Sequence, residues 1–181
     1  MRPCRPLLLG CACLLAGCGA TTIRVEVAPT IDGGGRAGVE SALSLGIGMP
    51  LDYHGRSHHY LQGLASLGGG LDGPSRSGEF LAAVGADYIY WAEPTLDVRA
   101  GGRYSFRKLG EAAGGTNLHG FGGHLGILPM VTQSDGNWMV MHLCLGPEAR
   151  VEALWSSPPA AVRSLFSLPL VLELNLLAAG D

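Results

Sequence analysis

Phe166-Ser167-Leu168-Pro169-Leu170-Val171-Leu172-Glu173-Leu174-Asn175-Leu176 is the stretch that decides the fold. Phe166, Leu168, Leu170, Leu172, Leu174 and Leu176 occupy every second position, with Ser167, Pro169, Val171, Glu173 and Asn175 between them. Side chains alternate from face to face along a strand, whereas a helical stripe repeats every 3.6 residues, so this is a β-strand with one apolar face.

The same period runs backwards through the chain. Met139, Met141, Leu143, Leu145, Ala149, Val151, Ala153 and Trp155 share one face, opposite His142, Cys144, Gly146, Glu148, Arg150 and Glu152. Leu96, Val98, Ala100, Tyr104 and Phe106 alternate with Asp97, Arg99, Arg103, Ser105 and Arg107. Weaker versions cover 22–31, 38–49, 58–69, 79–91 and 117–131, which makes eight strands. Turn-forming pieces such as Asp32-Gly33-Gly34-Gly35 and Asp72-Gly73-Pro74 separate them. Eight sequential strands with short connections predict an all-β fold, a single antiparallel up-and-down barrel over residues 22–181. A two-sheet sandwich is the alternative.

The N-terminus carries a different message. Arg2 and Arg5 precede an apolar run from Leu7 to Leu15, the layout of a secretory signal and about half the length of a spanning helix. The run ends in Leu15-Ala16-Gly17-Cys18, which resembles the lipobox of bacterial lipoproteins. That resemblance implies cleavage of residues 1–17, a diacylglyceryl group on the Cys18 sulfur, N-acylation, and a short tether at 18–21. Gly19 in place of aspartate implies outer-membrane sorting, with the lipoprotein export machinery as a partner. Two or more acyl chains anchor a protein stably. Cys4, Cys11 and Cys13 would leave with the signal, so Cys144 would remain as the single free thiol and no disulfide framework is expected. Loss of Arg2 and Arg5 from 12 basic residues, against 15 acidic ones, would leave a net charge of −5. No basic cluster points to nucleic acid.

Period two does not say which face is inside. In a lipocalin-like barrel the leucines fill the interior and hold a small apolar ligand, and some bacterial lipocalins are lipoproteins. In an outer-membrane barrel the leucines meet hydrocarbon, while small and charged residues fill the lumen. Only 15% of residues are charged. The polar faces carry Ala42, Gly46, Gly48, Gly120, Gly122 and Gly126, although glycine weakens an exposed strand. Tyr60, Phe80, Tyr88, Tyr90, Trp91, Tyr104, Phe106, Trp155 and Phe166 gather near strand ends, as interfacial girdles do. Residues 22–177 thus resemble small eight-stranded outer-membrane barrels, which implies dependence on the barrel assembly machinery. Against that reading, the chain ends on Gly180-Asp181 and not on an aromatic residue, and a lipid anchor is unusual on a protein already held by a barrel. Against the lipocalin resemblance, the Gly-x-Trp spelling occurs only at Gly136-Asn137-Trp138, far past the first strand.

The resemblance turns Asp97, Arg99, Arg103, Arg107, Glu148, Arg150, Glu152 and Glu173 into a lumenal charge network, with Arg24, Glu26, Glu40 and Asp87 on the same faces. Buried charges need partners, and eight strands leave little room for a pore, so a closed plug is expected. Other chemistry is thin. His54, His58 and His59 beside Asp52 lack firm metal-ligand spacing. His142 and Cys144 share a face, without an orienting third group. Gly68-Gly69-Gly70 has neither the lysine nor the helix of a phosphate loop. A structural or interaction role in the outer membrane is expected, with no catalysis, metal or cofactor; a lipid-modifying membrane barrel is the enzymatic alternative, although its catalytic motifs find no match in this sequence.

Overall fold

The computed structural model describes residues 20–51, 58–72, 77–92, 95–110, 115–135, 139–156 and 162–178. Cys18 and the whole signal segment, Asp52, His54 and Trp138 lie outside the described residues.

The strands are β1 (Ala20–Asp32), β2 (Ala37–Pro50), β3 (His59–Asp72), β4 (Ser77–Ala92), β5 (Leu96–Leu109), β6 (Asn117–Asp135), β7 (Met139–Ser156), β8 (Arg163–Ser167) and β9 (Leu170–Ala178). Each pairs antiparallel with its neighbour, and β1 pairs with β2 on one edge and with β8 and β9 on the other. The sheet is therefore closed, and the sandwich alternative falls.

β8 and β9 are two pieces of one stave. Phe166 lies between Val151 and Ile31, and Leu172 between Leu145 and Val25. The break falls at Leu168-Pro169, because proline has no N–H to give to a ladder. Two backbone bonds bridge it: Glu148 N donates to Pro169 O at 2.9 Å, and Leu168 N to Pro29 O at 3.2 Å. The barrel has eight staves made from nine strands.

Short connections occupy both ends. Residues 33–36, 73–76, 110–116 and 157–162 join strands at the Asp32 end; 51–58, 93–95 and 136–138 do so at the Ala20 end. At the first turn Asp32 Oδ1 accepts the N–H of Gly34 and of Arg36, both at 2.9 Å, while Gly35 adopts φ +78°. Only a residue without Cβ takes that conformation freely. β6 runs farther than the alternation suggests. Its register shifts between Met130 and Thr132, and beyond Pro129, which pairs with Leu96, its ladder is with β7 alone.

The orientation is inverted relative to a water-soluble barrel. Leu67 is 63% exposed and Phe121 62%, whereas Arg99 and Glu173 are fully buried. Water-soluble domains bury leucine and almost never bury an unpaired arginine. The leucine-lined interior that a lipocalin-like ligand site requires is absent among the described residues: Leu43, Leu45, Leu67, Leu125, Leu145 and Leu172 all face outward.

Candidate functional site

The inward side chains form one ion-pair stack along the lumen. Nearest the Ala20 end, Gln62 donates to Thr22, Thr22 Oγ1 to Asn175 Oδ1 at 2.6 Å, and Asn175 Nδ2 to Glu173 Oε1 at 2.8 Å. Arg99 then bonds Glu173 Oε1 and Asp97 Oδ2, each at 2.6 Å. Asp87 sits above, 2.9 Å from His124 Nε2, 3.7 Å from Arg24 and 3.9 Å from Arg99.

The middle of the stack is the densest part. Arg150 takes Glu26 with both terminal nitrogens, at 2.9 and 2.8 Å, and reaches Glu148 at 2.8 Å. Arg24 bonds Glu148 at 2.5 Å and Glu26 at 3.1 Å. Arg103 bonds Glu152 and approaches Glu26 at 3.4 Å. Toward the Asp32 end Arg107 reaches Glu152 at 2.8 Å, Glu79 at 2.7 Å, and Glu40. Bidentate guanidinium–carboxylate geometry offsets part of the desolvation that such burial costs.

Apolar residues cover this stack at the Ala20 end and flank it at the other. Ala20, Tyr60, Ile89 and Trp91 cluster at one, with the Tyr60 and Trp91 rings 4.2 Å apart. Leu154 and Leu165 are buried at the other. Tyr60 and Trp91 are a correction to the girdle reading. They share the parity of Gln62 and Asp87, so they point into the lumen and not outward. The space between is small: about 20 Å³ beside Asp87, His124 and Arg103, and about 60 Å³ at the mouth by Glu40, Glu79 and Arg163. The smaller is room for one water.

Inward glycines accommodate the long side chains. A Cβ on Gly126 would meet Arg99 Cγ at 3.0 Å, and one on Gly101 would meet Asp87 Oδ1 at 2.3 Å. The sheet thus places glycine where a neighbouring stave sends a charged group across.

All eight lumenal charges singled out in the sequence, Asp97, Arg99, Arg103, Arg107, Glu148, Arg150, Glu152 and Glu173, are buried and ion-paired inside the barrel. Arg24, Glu26, Glu40 and Asp87 join them. His124 and Glu79 were missed, although His124 shares the parity of Gly122 and Gly126 and was legible from it. Among the described residues the remaining sequence candidates do not assemble into chemistry. His58 and His59 contact Trp91 O and Tyr88 OH respectively. His142 meets the Trp91 ring edge at 5.1 Å, while Cys144 packs with Leu128 and Val171.

On the outer wall, His59, Tyr88 and Tyr90 form an aromatic group near the Ala20 end. Tyr104, Phe106, His119 and Trp155 form one near the other end, with a 2.5 Å hydrogen bond between Tyr104 OH and His119 Nδ1. Along β5 the two levels run from Val98, opposite Tyr90, to Phe106. At about 3.3 Å per residue and a tilt near 40°, the apolar band between them is roughly 20 Å tall.

Comparison with known proteins shows a fold and no family. No protein-family model and no curated protein matches the chain. Among solved structures, Neisserial surface protein A aligns at 16% identity over 88% of this chain and 99% of its own, with a TM-score of 0.51. A de novo designed transmembrane β-barrel aligns at 13% identity over 87% and 95%, with a TM-score of 0.34. The chain shares the small outer-membrane-type eight-stave barrel fold of the Neisserial surface protein.

Proposed function

We propose that this chain is an outer-membrane lipoprotein, acylated at Cys18, whose barrel crosses the bilayer as a plugged structural or interaction element. One observation carries the reading: the large apolar side chains of the wall, among them Leu43, Leu45, Leu67, Leu125, Leu145 and Leu172, face outward, while Arg24, Glu26, Arg99, Arg150 and their partners are buried inside. In water that arrangement would expose a continuous apolar wall, far beyond the few hundred Å² that soluble monomers tolerate. In a bilayer the wall is solvated by hydrocarbon, closure satisfies the strand hydrogen bonds, and the aromatic groups fall at the two interfaces.

The lumen supports a plug and not a passage. Its arginines are held by carboxylates from other staves, and an apolar cluster closes the Ala20 end. The neighbouring Neisserial structure is described as a surface protein. With no catalytic arrangement among the described residues to draw on, a structural or interaction role is the reading we adopt.

The experiment separates the anchor from the barrel. With Cys18 replaced and an ordinary cleavable signal supplied, the protein should still fractionate with membranes and resist carbonate extraction. Release into the soluble periplasmic fraction would contradict an embedded barrel. Separately, Cys18→Ser behind the native signal should leave an unprocessed precursor that takes up no labelled palmitate; continued labelling would remove the lipoprotein assignment.

A further inference from the structure

The outer wall is not uniformly covered by large side chains. Between β2 and β5 it is indented by a groove of about 500 Å³, walled by Leu43 and Leu45 on one side and by Tyr104 and Phe106 on the other, with Ala65 and Ala82 set low between the outward Leu67 and Val84. That volume is in the range of small-molecule sites, about 300–1,000 Å³. Toward the Ala20 end the floor continues along one hydrogen-bonded row, in which Gly63 pairs with Ala86 and Ala86 with Gly102.

Packing of the barrel does not require this smoothness. A Cβ on Gly63 would meet nothing within 4 Å, and one on Gly102 would make only an ordinary contact, 3.6 Å from Gly122 O. By contrast a Cβ on the inward Gly68 would lie 2.1 Å from Ser41 O. Glycine in a strand sacrifices stability, so its presence on the open side is explained by something that lies against the wall.

The rim above the groove says what that is. Lys108, the only lysine in the sequence, follows Phe106 on the outward face of β5, is exposed, and pairs across the ladder with Phe80. It stands one step beyond the Tyr104–Phe106–His119 aromatic level, where a bilayer changes from hydrocarbon to headgroups. An apolar trough ending at a single cation at headgroup depth complements an acyl chain that carries a phosphate at its end.

We propose that the wall between β2 and β5 binds one acyl chain of a phosphate-bearing membrane lipid, with its headgroup held at Lys108. This rests on the membrane reading above, so the test reports on each separately. The full-length protein is first mixed with vesicles of dipalmitoyl phosphatidylglycerol and dipalmitoyl phosphatidylcholine and floated on a density gradient; failure to float would overturn the membrane reading and the groove with it. Protein that floats is extracted in mild detergent and its retained lipid is counted by native mass spectrometry.

The wild type should keep one lipid, with phosphatidylglycerol favoured several-fold. Ala82→Phe, which fills the trough from the lipid side, should lower retention at least five-fold while the protein still floats. Lys108→Gln should erase the preference for phosphatidylglycerol and leave phosphatidylcholine retention intact. Val151→Ala, elsewhere on the wall, should change neither. Equal retention by wild type and Ala82→Phe would overturn the groove, and so would a dimer of barrels that Ala82→Phe disperses, since the trough would then be filled by a second copy.

Discussion

Gly122 and Gly123 are neighbours in sequence and opposites in constraint. A Cβ on Gly122 would lie 2.1 Å from Val151 O and 2.6 Å from Glu152 Cγ, inside the lumen; one on Gly123 would find nothing nearer than Gly101 O at 3.5 Å, outside it. The same contrast recurs between the inward Gly68, whose Cβ would lie 2.1 Å from Ser41 O, and the outward Gly63, whose Cβ would meet nothing within 4 Å. Inside, each residue is fixed by specific partners: Arg99 needs Asp97 on its own strand and Glu173 from across the lumen, and it also needs Gly126 on the next stave to be small. Outside, on the proposed membrane orientation, Leu43, Leu67 or Leu125 need only remain apolar, because lipid adapts to them. Inward positions should therefore respond to substitution through specific partners and outward ones through polarity alone.

The largest effect is expected at Arg99. Arg99→Leu strands Glu173 and Asp97 without their guanidinium, and breaking a buried pair from one side typically costs about 3–5 kcal/mol. Guanidinium-induced unfolding in micelles, followed by tryptophan fluorescence, measures it. In the same assay Arg103→Leu combined with Glu152→Leu should cost less than the two singles together, since the two residues are direct partners. Additive losses of less than about 1 kcal/mol, the value of an exposed pair, would mean that these charges sit in water.

Polarity should govern the other face. Leu45→Arg places a cation in the apolar band, at a cost of about 2–4 kcal/mol near the bilayer midplane. Leu45→Ile should be nearly silent in that unfolding measurement. A tolerated arginine there would contradict a lipid-facing wall.

The two glycines give the next smaller contrast. Gly122→Ala should destabilise by about 1–3 kcal/mol through overpacking, because backbone blocks the new methyl. Gly123→Ala should be neutral or stabilise by about 0.4–1 kcal/mol by restricting the unfolded chain. Similar values for both would erase the distinction between the faces.

The smallest effect belongs to the turn at Asp32. Partial burial opposes ionisation, but the backbone and side-chain hydrogen bonds from Arg36 and the Gly34 N–H win and hold the carboxyl below its usual range. A depressed carboxyl contributes its stability above the unfolded-state pKa and loses it as pH falls through the folded one. Asp32→Ala should therefore cost about 1 kcal/mol or less at neutral pH. The gap from wild type should close in acid, read as unfolding midpoints across a pH series.

Much of this was legible because the barrel obeys one local rule. Alternation in 139–155 and 166–176 fixed both the strands and the membership of their faces, so Glu148, Arg150, Glu152 and Glu173 could be placed together before any coordinates. What escaped was non-local. That Arg99 meets Glu173, across 74 positions, depends on how closure sets the register of β9 against β7. Tyr60 and Trp91 were misplaced because aromatic residues suit both a girdle and a lid, and only strict counting of parity separates the two. Pro169 carried the signal for a break in the last stave, yet 166–176 was read as one unbroken strand; the bulge after Met130 had no comparable signal.

The central claim is that the leucine face meets hydrocarbon, and one measurement addresses it residue by residue. Single cysteines at Ala42, Leu43, Ser44, Leu45 and Ile47, in a background with Cys144 replaced by serine, are spin-labelled after reconstitution into vesicles. Collision with oxygen reports lipid, and collision with a water-soluble nickel chelate reports solvent. Labels at Leu43, Leu45 and Ile47 should be oxygen-accessible and chelate-protected, while those at Ala42 and Ser44 should be immobile and shielded from both. High chelate accessibility at Leu43, Leu45 and Ile47 would mean that water covers the leucine face and would contradict the account.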